Sequence, residues 1–374
     1  MNGLLILPSY TEYFHLTTAT VGLNNAASWI GAIVGALAMQ PVADVLGRKR
    51  GILVASLITI AGVALQAGAQ HIAMFVVARV VVGFGSAISN ASAPVLLAEL
   101  LPARTRGRVL GIFFSCFYVG SLVSAIVNYG SRNIQSTWSW RLPSLLQFIP
   151  SFLALCLLPF VPESPRWLIS KGQDAHAKEI LYIMQGSAAT PNTENDNDST
   201  SAAEAALRDI KSTMQREEAA YPRNAWRELL ATPPNRRRLL ILVSFGTMIS
   251  TLGNFVISYY LKRILDQAGV ADADAQLRIN VGLNCWCFLA AAAYGDTDNQ
   301  AGIYSTIAVI FLFQGFYSFA ITPTTSLFPS EIAQYKLRAA GIAVFRFFDS
   351  GFGLLCSFAM GYAMEGAWLA LLPC

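Results

Sequence analysis

GILVASLITIAGVALQAGAQHIAMFVVARVVVGFGSAISNASAPVLLAEL, residues 51–100, contains two long apolar runs, 52–70 and 72–98, and only two formal charges, Arg79 and Glu99. An α-helix rises 1.5 Å per residue, so runs of this length meet or approach the ~20 apolar residues that cross a ~30 Å hydrocarbon core. The pattern repeats outward along the chain at 22–42, 109–130, 142–161, 239–261, 302–328 and 340–364, with a shorter run at 279–294. Small residues such as Gly31, Gly35, Gly83 and Gly85 recur at spacings that let helices approach closely. The sequence therefore predicts an all-α integral membrane protein built as a polytopic bundle.

Composition agrees. Of 374 residues, 54% are hydrophobic and 13% charged, where soluble domains carry about 25% charged residues. The net charge of +4 resides in short basic knots between spans, which topology explains, so nucleic acid is not an expected partner. Cys116, Cys156, Cys285, Cys287, Cys356 and Cys374 lie in apolar stretches without metal-ligand or disulfide-framework spacing. No metal or cofactor is expected. MNGLLILPSY at the N-terminus has no basic n-region and too short an apolar run for a signal peptide.

Basic residues set the orientation. Arg48, Lys49 and Arg50 close one loop and Arg104, Arg106 and Arg108 the next but one, so loops 43–51, 99–108, 162–238 and 329–339 are expected to be cytoplasmic. Residues 1–21 then lie outside, after an entering helix that would precede Met1. Parity fails once: the spans as they stand put Lys336 and Arg338 outside. A further helix between Ala293 and Ala301 would restore them to the cytoplasm, and the last span stops at 364. The expectation is a first helix, an internal segment and a last helix missing or truncated.

Glu99 precedes Arg106 by the same interval as Glu331 precedes Arg338, each knot following a long helix that contains a proline, Pro94 or Pro323. Two similar halves are implied, as in many secondary transporters. The domains read as 1–161, an N-terminal transmembrane half; 162–238, a cytoplasmic inter-half loop with short helices; and 239–374, a C-terminal transmembrane half. Within the loop, 174–184 and 201–220 show helical patterns, while NTENDNDSTS, 192–201, is too polar to order itself by burial.

The charged residues Asp44, Arg48, Glu99, Arg106, Glu163, Arg166, Glu331 and Arg338 sit where helices leave the membrane. They can pair across the halves and latch the cytoplasmic face, or they can serve only to set topology. Arg79 lies inside a span, where a charge is expensive and either functional, paired or snorkelling. Arg346 and Asp349, one turn apart, can pair locally or meet substrate.

DVLGRKR (44–50), RVVVGFG (79–85), AELLPARTRG (98–107), PESPRWLISKG (162–172) and PSEIAQYKLRAAG (329–341) together resemble the sugar-porter branch of the major facilitator superfamily, most closely fungal disaccharide and hexose permeases. The resemblance implies the twelve-helix major facilitator fold, with about nine helices present and the first, ninth and twelfth missing or truncated. It also implies transmembrane transport of a disaccharide or hexose by alternating access. In proton-coupled members the residue matching Arg79 faces an acid on the first helix, so Arg79 is the expected proton-coupling residue. The expected partners are a sugar, protons and the lipid bilayer, with no obligate protein partner, and the family's usual address is the plasma membrane.

Sugar hydroxyls need amides and hydroxyls, and sugar C–H faces need aromatic planes, near the bilayer midplane. By depth the candidates are Ser121, Asn128, Asn254, Tyr259, Tyr260, Asn284, Trp286, Gln314, Tyr317 and Ser326. The family's seventh helix reads Gln-Gln-x-x-Gly-x-Asn before a Tyr-Tyr pair. Aligned on Gly253 and Tyr259-Tyr260, this chain has Ile249, Ser250 and Phe255 at those polar positions. Ser121 falls at the family's fifth-helix Gln and Ser326 at its tenth-helix Trp. Glucose selectivity is therefore not transferred. A sugar sensor, or a decayed transporter in which Arg79 and Asn254 lack neighbours, are the alternatives. The spans hold no His cluster or paired carboxylates of the kind enzymatic chemistry would need.

Overall fold

The computed structural model describes residues 2–186, 196–220, 230, 232–251, 261–262, 265–266, 272–292, 312, 316–317 and 340–355. All regular structure among them is helical. A 3-10 turn, Asn2–Ile6, leads into α1 (Pro8–Tyr13). Four long helices follow: α2 (Thr18–Val45), α3 (Arg48–Ala67), α4 (Ile72–Leu100) and α5 (Ala103–Ser131). Next come α6 (Trp138–Leu146), α7 (Phe148–Leu157), α8 (Pro165–Ser170), α9 (Asp174–Gly186) and α10 (Asp196–Ala220). After the charged stretch lie α11 (Pro233–Thr251), α12 (Ala273–Ala292) and α13 (340–355).

Local chemistry sets the boundaries. Thr17 and Thr20 form a reciprocal capping box that opens α2. Pro102 disfavours helical backbone at Leu101, which ends α4 and starts α5 on a new axis. Ser164 caps α8 by accepting from Trp167 N at 3.2 Å, with Pro165 at the first helical position. The run predicted at 142–161 is divided at Gln147, between α6 and α7. By length and hydropathy, Ala19–Val45, Arg48–Ala67, Ile72–Leu100 and Trp138–Phe160 can each cross a membrane. Exposed Ile149, Phe152, Leu153, Leu157 and Phe160 give the last of these an apolar outer surface suited to lipid.

α4 packs along α2 on one side and α3 on the other. Glycine makes the first contact possible: a Cβ on Gly31 would lie 2.0 Å from the Val80 carbonyl oxygen, and one on Gly83 2.1 Å from that of Ser28. Any larger residue at either position must push the helices apart, which is the small-residue packing expected of membrane bundles. α5 runs antiparallel to α12 and packs against it, joining the segments on either side of residues 162–238. At the end of the bundle opposite the basic knots, Tyr10, Phe14, Phe75 and Trp140 stack edge to face around Leu4, Ile6 and Leu7.

α10 opens at Asp196, inside the acidic run read as non-helical, and packs on α9. Lys178 bonds Glu204 at 2.6 Å and Lys211 bonds Asp174 at 2.5 Å, tying the two helices together. Lys178 also holds the Glu204 carboxyl below its ordinary value, through a hydrogen bond and its charge. The expected break between Ala293 and Ala301 lies outside the described residues, as do the runs 302–311 and 356–364.

Candidate functional site: a charged knot and a polar seam

The charged knot forms where α2, α3, α4 and α8 meet. Gly47 precedes α3 with φ +95°, a left-handed conformation that glycine adopts without strain. The first N–H groups of α3 have no intrahelical partners, and Gly47 has no side chain to cap them. Glu163, far along the chain, supplies the acceptor. Its carboxylate receives Arg48 N at 3.1 Å, Lys49 N at 3.1 and 3.2 Å, and Ser164 N at 2.9 Å. A Cβ at position 47 would stand 2.6 Å from Glu163 Oε2, so glycine is also needed for the carboxylate's approach.

The side chain of Arg48 turns the other way. Its Nε lies 3.3 Å from Glu99 Oε2 and its Nη2 3.5 Å from Oε1, while Nη1 donates to the Ala43 carbonyl at 3.1 Å. Both partners are largely buried, at 12% and 4% side-chain exposure, so this pair is screened less than a surface bridge. Trp167 Nε1 donates to the Asp44 carbonyl at 3.2 Å, which seats α8 on the end of α2. Arg106 donates to the Leu101 carbonyl at 3.3 Å, closing the α4–α5 corner. Arg166 lies in the first turn of α8. Glu331 and Arg338 lie outside the described residues. The knot thus joins Asp44, Arg48, Glu99 and Glu163 around the ends of α2, α3, α4 and α8. Gly47 and Trp167, not singled out as site residues in the sequence, are part of it.

The second group is a polar seam between α5 and α12. Ser121 Oγ donates to Asn284 Oδ1. Asn284 Nδ2 continues to Asn280, at 2.7 Å to its carbonyl and 3.2 Å to its side-chain oxygen. Asn128, two turns from Ser121 on the same face of α5, is 2% exposed and folds back onto the Ser124 carbonyl at 2.8 Å. Trp286 is half-buried on α12. Tyr317 is buried with Leu242 and Phe345 in an apolar cluster. Asn254, Tyr259, Tyr260, Gln314 and Ser326 lie outside the described residues. Of the sequence candidates, Ser121 and Asn284 are therefore brought into direct contact. Arg346 and Asp349 pair locally, Nη1 to Oδ2 at 3.5 Å.

Arg79 is 4% exposed, which rules out snorkelling to the surface and the expectation that it would lack neighbours. Its Nη1 donates to the Asn24 carbonyl at 2.8 Å, and the guanidinium sits 5.4 Å from the Phe75 ring centroid. Asn24 Nδ2 in turn donates to the Tyr10 hydroxyl at 2.7 Å. Asn24, which α2 presents to both groups, was missed in the sequence. The only hint was a pair of asparagines, Asn24-Asn25, at the start of an otherwise apolar helix.

A spanning bundle, a charged knot at one end and a polar seam between two helix groups are the parts of a membrane carrier. Comparison with known proteins is specific on this point. Residues 4–293 match the family model described as Sugar (and other) transporter, and the chain belongs to that family. Among its relatives are the MFS-type transporter criB of Aspergillus cristatus, 25% identical across 92% of this chain and 79% of that protein, and the glucose transporter GlcP of Staphylococcus epidermidis, 28% identical across 72% and 55%. The human proton myo-inositol cotransporter is 33% identical over 69% of this chain and 37% of its own length. The chain thus spans only about half, or less, of some relatives it matches. In structure it resembles the proton:xylose symporter XylE bound to 6-bromo-6-deoxy-D-glucose, with a TM-score of 0.75 and 21% identity over 98% of this chain and 88% of that one. An inward-open form of XylE from E. coli matches with a TM-score of 0.69 at 20% identity. The fold is that of the major facilitator superfamily.

Proposed function

We propose that this chain carries a sugar, a hexose or a disaccharide, across a membrane by alternating access between two halves, 1–161 and 239–374, linked by 162–238. The observation that carries the reading is the Ser121–Asn284 bond. It is a hydroxyl-to-amide contact, the chemistry that sugar hydroxyls compete for, at a helix pair that spans both halves through polar side chains. A sugar entering the seam would exchange that bond for bonds of its own.

In this reading Ser121, Asn128, Asn254, Tyr259, Tyr260, Asn284, Trp286, Gln314 and Ser326 line the substrate path. Asp44, Arg48, Glu99, Arg106, Glu163, Arg166, Glu331 and Arg338 form the cytoplasmic gate, with loops 43–51, 99–108, 162–238 and 329–339 on that side. Arg79 serves proton coupling: it is a fixed buried cation, and a relative named as a proton cotransporter shares the family. The plasma membrane is the proposed location.

The test is uptake of labelled glucose, xylose and maltose into a cell lacking its own sugar carriers, with and without a protonophore. The reading expects saturable uptake of at least one sugar, lost on adding the protonophore. Uptake that the protonophore leaves unchanged removes the proton-coupling part. Absence of uptake for chain shown to be at the cell surface removes the transport part.

A further inference from the structure

At the end of the bundle opposite the charged knot, α5 and α12 are joined a second time. Arg132 follows the last turn of α5 and pairs with Asp274 in the first turn of α12. Asp274 is shared, since Arg278, one turn further along α12, reaches its Oδ2 at 2.7 Å. The Arg132 guanidinium lies 4.4 Å from the Tyr129 ring centroid, which holds it over its own helix and towards α12. Each charge also suits its helix end: a cation at the C-terminus of α5 and an anion at the N-terminus of α12 both oppose the local dipole. The antiparallel pairing of the two helices makes these favourable ends coincide.

Among the described residues, apolar side chains pack beside the pair. Leu277, one turn from Asp274, is 1% exposed and packs with Leu4, Leu7 and Phe75. Lys262 donates to the Leu5 carbonyl at 3.1 Å, so the segment 2–14 is held from both sides. The Ser121–Asn284 bond lies about 15 Å deeper along the same helix pair. Along that helix pair, the Arg132–Asp274 contact therefore stands between this end and the seam.

We infer that Arg132 and Asp274 form a latch that holds this end of the bundle shut, and that the end opens by breaking the pair while Arg278 retains Asp274. Arg278 is on the same helix as Asp274, so it moves with it and spares the carboxylate from being stranded. Side chains 25% and 30% exposed make the pair weak enough to break repeatedly. The inference rests on the alternating-access reading for its purpose. Its test reads opening directly, so a working latch in a chain that moves no sugar would count against the transport reading alone.

The experiment uses the full chain in proteoliposomes, with its six cysteines replaced and a reporter introduced as Leu277→Cys. Labelling by a membrane-impermeant thiol reagent is timed. Arg132→Gln and Asp274→Asn are each expected to raise the labelling rate about fivefold, which corresponds to ~1 kcal/mol, the upper range for such pairs. The double variant is expected to label no faster than either single one, because both remove the same contact. Arg278→Gln should not raise the rate, and lowers it if the opened carboxylate is left without its partner. Each variant must give a single size-exclusion peak; if one does not, the other single variant carries the comparison with Arg278→Gln. Rates unchanged by Arg132→Gln, or raised as much by Arg278→Gln, would overturn the latch.

Discussion

Replacing Glu163 with Ala should destabilise the chain out of proportion to the half-buried position of that side chain. The carboxylate accepts from three backbone N–H groups, two of them the otherwise unpaired donors at the start of α3. A hydrogen bond to a charged group contributes about 1.5–3 kcal/mol, and an anion at a helix N-terminus adds about 0.3–1 kcal/mol. Water can reach a half-exposed site and recover part of this, so a net loss of about 3 kcal/mol is expected from the two bonds that cross to α3 from the segment ahead of α8. Glu163→Gln keeps an oxygen acceptor and the shape but loses the charge, and should cost about 1 kcal/mol. At about 2 °C per kcal/mol for a chain of this size, the apparent melting temperature should fall about 6 °C for Ala and about 2 °C for Gln. The assay is thermal unfolding in detergent at one scan rate, followed by circular dichroism. If both variants melt within 1 °C of the parent, or Gln falls as far as Ala, the capping role assigned to Glu163 is wrong.

Other expectations follow from the packing. Gly83→Val should prevent recovery of monodisperse protein, because its first side-chain carbon would meet the Ser28 carbonyl at 2.1 Å, whereas Gly120→Ala, with nothing within 4 Å, should behave as the parent; size-exclusion profiles decide. Tyr10→Phe and Asn24→Ala should each lower stability by about 1 kcal/mol, and the double variant by little more than either, since both remove the same buried bond; additive losses in thermal unfolding would refute the pairing. The Glu204 carboxyl titrates below its ordinary 4.5 in the folded chain, because Lys178 bonds it. Its contribution to α9–α10 packing is therefore complete above that value and is lost as pH falls through the lower, folded value. Hydrogen exchange of 196–220, corrected for intrinsic rate, should quicken there in the parent but not in Lys178→Met.

Much of this architecture was written in local pattern. Apolar runs of spanning length and glycines at Gly31 and Gly83 act over one or a few turns, and the pattern along the chain reveals them. Glu163 was legible as a charged residue near a helix end, but its role as the cap of α3 was not. That role depends on a contact across more than a hundred residues, and on a neighbour, Gly47, whose importance lies in having no side chain. Arg79 was visible as a charge out of place, yet its acceptor is a backbone carbonyl, which any residue at position 24 would carry. Ser121 and Asn284 were each selected by depth; only the crossing of α5 and α12 makes them partners. α10 escaped a reading based on burial because ion pairs to α9, from Glu204 and Lys211, hold it as well as apolar area.

Sugar is proposed to cross the membrane through the seam between α5 and α12. Counterflow measures that most directly: purified chain is reconstituted with excess unlabelled sugar inside, and the transient entry of the same labelled sugar is followed. The account predicts an overshoot above empty liposomes that is lost in Asn284→Leu, a variant that keeps the helix but removes the amide. Labelled sugar entering no faster than into empty liposomes, from a monodisperse and correctly inserted chain, would contradict it.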